Sequence, residues 1–177
     1  APFPSMPVFF WDDETKEKYE ASYFSTYQNI WHHSDFIEIR PSGSVKVYGR
    51  SDATLNRGGV RIGSSEIYQV VDQMDYVADS LVVHLDQDDK MILFVQIDET
   101  YFNDEFILAV KQALKQMRSP RHVPDLIYRV DGIPYTVNGK KMEVLVKKLM
   151  MGDDNINYSS LKDPDLVEDY KRILTLS

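Results

Sequence analysis

At 177 residues, with 43% hydrophobic and 27% charged side chains, the chain has the composition of an ordinary globular protein and is long enough to bury a core. A net charge of −8 argues against general nucleic-acid binding, which needs a basic face, and leaves any polyanionic ligand dependent on a local basic patch. With no cysteine there is no disulfide framework, no thiolate metal site and no thiol nucleophile; no apolar run is long enough to span a bilayer, and no secretory signal is visible.

The elements are read in chain order. Residues 1–7 carry three prolines and cannot form regular helix. Val8–Trp11 is expected as a short strand, Asp12–Lys18 as a charged turn, and Tyr19–Tyr27 as an aromatic-rich stretch. This opening has no start signal of its own and reads as a cut inside a larger protein. Phe36, Ile37 and Ile39 predict a strand, Pro41–Ser44 a turn, and Val45–Tyr48 a returning strand. His32 and His33 are neighbours, so on an extended chain they point to opposite faces and make poor joint metal ligands.

The stretch from Tyr48 to Tyr68 organises the rest. Ala53–Asn56 and Val60–Ile62 read as two short arms joined at Arg57-Gly58-Gly59, where glycines permit positive φ and close approach of another molecule. Ser64 or Ser65 is expected to cap the next helix, with Glu66 in its first turn. Ile67, Val70, Val71, Met74 and Val77 have helical spacing, which predicts a helix from Ser65 to Ala78. Ser80–Leu85 and Met91–Ile97 are strands around the acidic turn Asp86–Lys90. Asn103 caps a second helix, with Phe106, Ile107, Val110, Leu114 and Met117 inward and Lys111, Lys115 and Arg118 outward.

Asp125–Val130 is a further strand. Asn138-Gly139 marks a turn, followed by Lys140 and Lys141. Glu143–Met151 is a helix that Gly152 stops, and Asp163-Pro164 opens a last one to about Ile173. There is no internal repeat or low-complexity tract. This order predicts an α+β fold with a short mixed sheet packed by helices.

Two stretches taken together resemble the acyl-CoA synthetases and related adenylate-forming enzymes. Gly49-Arg50-Ser51-Asp52, Gly59-Val60-Arg61-Ile62 and Glu66-Ile67 are similar to the family's hinge motif. Ile133-Pro134-Tyr135-Thr136-Val137-Asn138-Gly139-Lys140 is similar to its C-terminal lysine motif. His33-Ser34-Asp35-Phe36 resembles an upstream motif that usually reads Gly-Asp, with Ser34 here in place of the glycine. The wording, and the extension past Met151, is similar to the acetoacetate-activating branch; other branches act on acetate, propionate or longer acids, and a stand-alone nucleotide-binding or interaction module of the same fold is the reading from another class.

The resemblance implies a division and a set of roles. Residues 1–51 would be the β-rich tail of a large adenylation domain, Asp52 the hinge, and residues 53–177 a small mobile C-terminal α+β domain. Lys140 would be catalytic. Asp35, Arg50 and Arg61 would bind ATP and AMP. Gly58, Gly59, Lys115 and Arg118 would bind coenzyme A. No metal site is expected in this chain; Mg2+ would be held mainly by the large domain, which carries the phosphate loop and the acid pocket. The implied substrates are acetoacetate, ATP and coenzyme A, in a cytoplasmic setting, and this stretch alone is expected to be inactive.

Overall fold

The strand Lys90–Ile97 explains the architecture, because its residues feed two cores in strict alternation. In the computed structural model, residues 4–51, 53–153 and 156–176 are described. Contacts divide the chain into two units, Ala1–Ser34 and Asp35–Ser177.

The first unit holds one short helix, α1 (Glu17–Tyr23). The Asp13 carboxylate accepts from the backbone N–H groups of Lys18 (3.0 Å) and Tyr19 (2.8 Å), satisfying donors of the first turn. Tyr19, buried, donates its hydroxyl to the Pro7 carbonyl at 2.9 Å. Phe10 meets Tyr19 and Tyr23 edge-on, each at 5.5 Å between ring centres. The expected strand Val8–Trp11 does not form, since this segment is irregular; Phe10 turns inward onto the helix instead of alternating along a sheet. His32 meets Tyr27 and His33 meets Trp31 edge-on, so the adjacent imidazoles pack against different rings.

The second unit begins with a hairpin of β1 (Asp35–Ile39) and β2 (Val45–Arg50), antiparallel, with Asp35 opposite Arg50. A smaller hairpin follows, β3 (Leu55–Arg57) and β4 (Val60–Ile62). Its turn uses Gly58 and Gly59 at φ 53° and 77°, the left-handed pair that matches strand twist in a two-residue turn.

Helix α2 (Ser64–Val71) comes next, then β5 (Val77–Leu85), β6 (Lys90–Ile97), α3 (Asp104–Met117), β7 (Leu126–Val130), α4 (Glu143–Met150) and α5 (Leu166–Leu176). The sheet order is β5-β6-β7, with β5 antiparallel and β7 parallel to β6. This is the short mixed sheet the sequence predicts.

Three local expectations need correction. Helix α2 is capped by Gly63, not by a serine: the Glu66 carboxylate accepts from the Gly63 N–H at 3.3 Å, while Ser65 Oγ donates to the Tyr48 carbonyl at 2.8 Å. The helix also stops at Val71 and does not reach Ala78. Tyr76 takes φ 69° and Val77 pairs with Ile97 at the start of β5, so the last apolar residue of the helical pattern belongs to the sheet. Met117, expected inward on α3, is exposed.

The alternation is exact across the sheet. Leu81, Val83, Ile92, Phe94 and Val130 face a core closed by Leu145, Val146 and Leu149 of α4 and Val167, Tyr170 and Ile173 of α5. Val82, Met91, Leu93, Val95 and Ile127 face the other, closed by Ile67, Val70 and Val71 of α2, Val110 and Leu114 of α3, and Leu55 and Ile62 of the small hairpin. Phe94 is fully buried, 4.9 Å from the Tyr170 ring centre. Phe94→Ala should therefore cost about 3–5 kcal/mol, while Ile39→Thr, at a position 71% exposed, should change stability by less than about 0.5 kcal/mol; urea unfolding midpoints check both.

Candidate functional site

Two of the residues that the motifs assign to the nucleotide, Asp35 and Arg50, meet at one end of the first hairpin. Asp35 opens β1 and Arg50 closes β2 directly opposite. Both are exposed. Arg61 on β4 places its guanidinium over the Phe36 ring, 5.6 Å from its centre. Ser34 takes φ 61°, a conformation that costs an L-residue about 1–2 kcal/mol and a glycine almost nothing. That is a physical reason for glycine at this place in the related motif. Asp52 lies outside the described residues.

Gly58 and Gly59 form the exposed tip of the small hairpin. The tip is fixed from below: Arg57 donates to the Val123 carbonyl and to Asp125 Oδ1, both at 2.6 Å, and Asp125 Oδ2 accepts from the Met91 N–H at 2.8 Å. A side chain at Gly58 would come 3.8 Å from Arg121 Nε. Arg121, exposed beside this turn, belongs to the Arg-His-Val-Pro wording that shares in the resemblance, but the sequence assigns it no role of its own. Lys115 is exposed near the end of α3. Arg118 is engaged: it donates to the Glu66 carbonyl (3.1 Å) and Gln69 Oε1 (3.0 Å), fastening α3 to α2.

Lys140 and Lys141 are neighbours with opposite surroundings. Lys140 sits on an exposed turn whose backbone is closed on itself: Thr136 N–H donates to the Lys140 carbonyl (2.8 Å), Lys140 N–H to Thr136 Oγ1 (3.1 Å), and Gly139 N–H to the Thr136 carbonyl (2.8 Å), with Gly139 at φ 76°. Its ammonium makes no ion pair among the described residues. Lys141 is caged. Its ammonium lies 2.6 Å from Asp79 Oδ1, 2.6 Å from the Ser80 carbonyl and 3.5 Å from Asp72 Oδ2, and 4.0 Å above the Tyr68 ring. The turn thus offers one unpaired cation on a braced stem, suited to negative oxygens of a ligand.

Around the cage, Tyr135 donates its hydroxyl to Asp79 Oδ2 at 2.6 Å, and Tyr68 to Glu143 Oε1 at 3.1 Å. Burial, then the neighbouring carboxylates, push both phenols up from the usual tyrosine value, so they remain donors. Among the described residues no group of three or more His, Asp or Glu is placed to hold a metal ion, and no helix is long and apolar enough to cross a membrane.

His122, whose Nδ1 shares a hydrogen bond with Ser119 Oγ (2.9 Å) and whose Nε2 faces Glu66 from 3.7 Å, is held below the ordinary histidine value of 6.5, chiefly by burial, with the Glu66 carboxylate opposing. The unfolded chain then binds the extra proton first, so stability is full above pH 6.5 and falls as pH drops through the lower folded value. Unfolding midpoints measured from pH 8 to pH 5 should show this decline, and His122→Asn should flatten it.

No family model matches the chain. Its sequence is 40% identical to the acetoacetyl-CoA synthetase of Gallus gallus over 177 residues, 97% of this chain and 26% of that protein. It is 42% identical to the acetoacetyl-coenzyme A synthetase of Rhizobium meliloti (strain 1021) over 169 residues, 94% of this chain and 26% of that protein. The solved acetoacetyl-CoA synthetase from Streptomyces lividans matches 99% of the chain with a TM-score of 0.90 at 38% identity, over 27% of its own length. The amide bond synthetase McbA from Marinactinospora thermotolerans, 18% identical with a TM-score of 0.62 over 80% of this chain and 28% of its own, shares the fold. The chain spans about a quarter of the length of these relatives, and along nearly all of its own length it is similar to acetoacetyl-CoA synthetases.

Proposed function

We propose that this chain is the C-terminal portion of an ATP-dependent acid–thiol ligase that joins acetoacetate to coenzyme A. In the first step the acetoacetate carboxylate attacks the α-phosphorus of ATP, forming the acyl-adenylate and releasing pyrophosphate. In the second, the thiol of coenzyme A attacks the acyl carbonyl, loses its proton and displaces AMP. The observation that carries this reading is the identity of 40% to acetoacetyl-CoA synthetases along 97% of the chain.

The roles follow from what each side chain offers. Lys140 donates to the acyl carboxylate and phosphate oxygens during adenylation, where negative charge gathers. Asp35 accepts from the ribose hydroxyls with its two oxygens. Arg50 and Arg61 face phosphate or ribose, Arg61 in the second conformation, since a guanidinium fork suits phosphate. The Gly58-Gly59 tip lets the pantetheine arm run close to the backbone, and Lys115 and Arg118 meet the nucleotide phosphates of coenzyme A. Mg2+ is supplied mainly from residues outside this chain, and the setting is the cytoplasm.

In the complete ligase, Lys140→Ala should lower acetoacetate-dependent pyrophosphate exchange by about 10²-fold and spare thioester formation from supplied acyl-adenylate. An equal fall in both half-reactions would make Lys140 a general binding residue. Asp52 is the proposed pivot, whose φ and ψ change between the steps. Proline fixes φ near −65°, so Asp52→Pro should keep exchange and lose thioester formation. A folded variant that makes thioester at the normal rate would remove Asp52 from that role; a melting curve beside the two assays shows whether it is folded.

A further inference from the structure

We propose that Asp79 is a positioning residue for Lys140: its two carboxylate oxygens clamp the two arms of the turn that carries the lysine. This rests on the ligase reading. Tyr135 and Lys141 flank the turn and pair with each other as an isolated antiparallel bridge. The Tyr135 hydroxyl ends on Asp79 Oδ2 at 2.6 Å, and the Lys141 ammonium on Asp79 Oδ1 at 2.6 Å. One carboxylate on β5 therefore holds both arms, and it is reached from Tyr135 across 56 positions of chain.

The clamp is built to last. The side chains of Asp79 and Lys141 are 18% and 17% exposed, so the pair is little screened by water. Asp72 reinforces it from the end of α2, accepting from Ser80 Oγ at 2.5 Å and standing 3.5 Å from the Lys141 ammonium. Above the clamp, the bonds between Thr136 and Lys140 leave the lysine backbone little freedom. Lys140 has a long flexible stem, so only the fixed backbone below it can define where the ammonium arrives. A misplacement of about 1 Å can cost about 10²-fold in rate.

The test is a double-mutant cycle in the complete ligase. Asp79→Asn keeps the shape and an acceptor for Tyr135 but removes the charge that holds Lys141. It should lower acetoacetate-dependent pyrophosphate exchange by about 10-fold to 10²-fold, leave thioester formation from supplied acyl-adenylate unchanged, and add no further loss of exchange in a Lys140→Ala background. A group that acts through Lys140 has nothing left to position once that ammonium is gone. A full additional loss in that background, a parallel fall of both half-reactions, or no loss at all would overturn the proposal. If Asp79→Asn melts early, Lys141→Met and Tyr135→Phe each release one arm and should give the same split at smaller size; normal exchange in both would overturn it as well. Should Lys140→Ala alone leave exchange intact, Lys140 is not the adenylating cation and the role of Asp79 falls with it; the ligase reading itself falls if the unmutated protein shows no acetoacetate-dependent exchange.

Discussion

Burial of β6 on both faces is the constraint from which the rest follows. Met91 to Val95 are between 0% and 2% exposed, and a strand so covered requires a helix pair on each side. Its register then fixes its neighbours: Leu81 and Tyr128 flank Phe94 on one face, and Val82 and Ile127 flank Leu93 on the other. A slip of one residue would exchange the two cores. The outer strand β5 inherits a fixed position in this way, and β5 is where the site's supports begin. Asp79 and Ser80 lie near its start, and Val82 N–H meets the Tyr68 hydroxyl at 3.2 Å. The exposed lysine turn is thus tied, through two side chains, to one of the most buried parts of the molecule.

The neighbouring lysines show what position does to identical chemistry. Lys141 gives its charge to Asp79, Asp72 and a carbonyl, and has nothing left for a ligand. Lys140, one residue earlier, makes no ion pair among the described residues. The contrast has a simple cause. The turn reverses the chain between Thr136 and Lys140, so the residue after it re-enters the bridge with Tyr135. Lys141 bears the structural load of the turn, while the charge of Lys140 stays outside any ion pair among the described residues.

The sequence made the periodic parts legible. The strands around the Asp86–Lys90 turn, the capped helix after Asn103 and the glycine turn at Gly58-Gly59 are local signals, and local physics decides them. Two kinds of feature escaped. Val8–Trp11 has strand-like residues but no partner strand, so its aromatic ring is claimed by α1. The helix predicted to Ala78 ends at Val71 because Val77 is worth more opposite Ile97 in the sheet than on a helix face, a tertiary choice that periodicity cannot see. The site divides in the same manner. Motif wording pointed to Lys140, Asp35 and the arginines, whereas the support from Asp79 and Tyr135 joins residues far apart in sequence and carries no spacing signal.

The joints around the site differ in strength. The first hairpin meets α2 through exchangeable contacts: Ser65 Oγ to the Tyr48 carbonyl, and Lys46 3.9 Å from Glu66 with both side chains partly exposed. A neutral hydrogen bond contributes about 1 kcal/mol and an exposed ion pair less, so this joint costs little to open. Gly63 keeps it close, since a Cβ there would lie 2.6 Å from the Tyr48 carbonyl. The small hairpin, by contrast, is held by Arg57 and Asp125 in a pairing that also engages Met91 of β6. Opening at Tyr48 would leave that pairing and the Asp79 clamp intact. The proposed pivot at Asp52 would divide these two classes of contact: the weak, replaceable ones span it in the chain, and the braced ones lie wholly after it. Under that proposal the glycine tip and the lysine turn would move as one body, each keeping its own braced geometry.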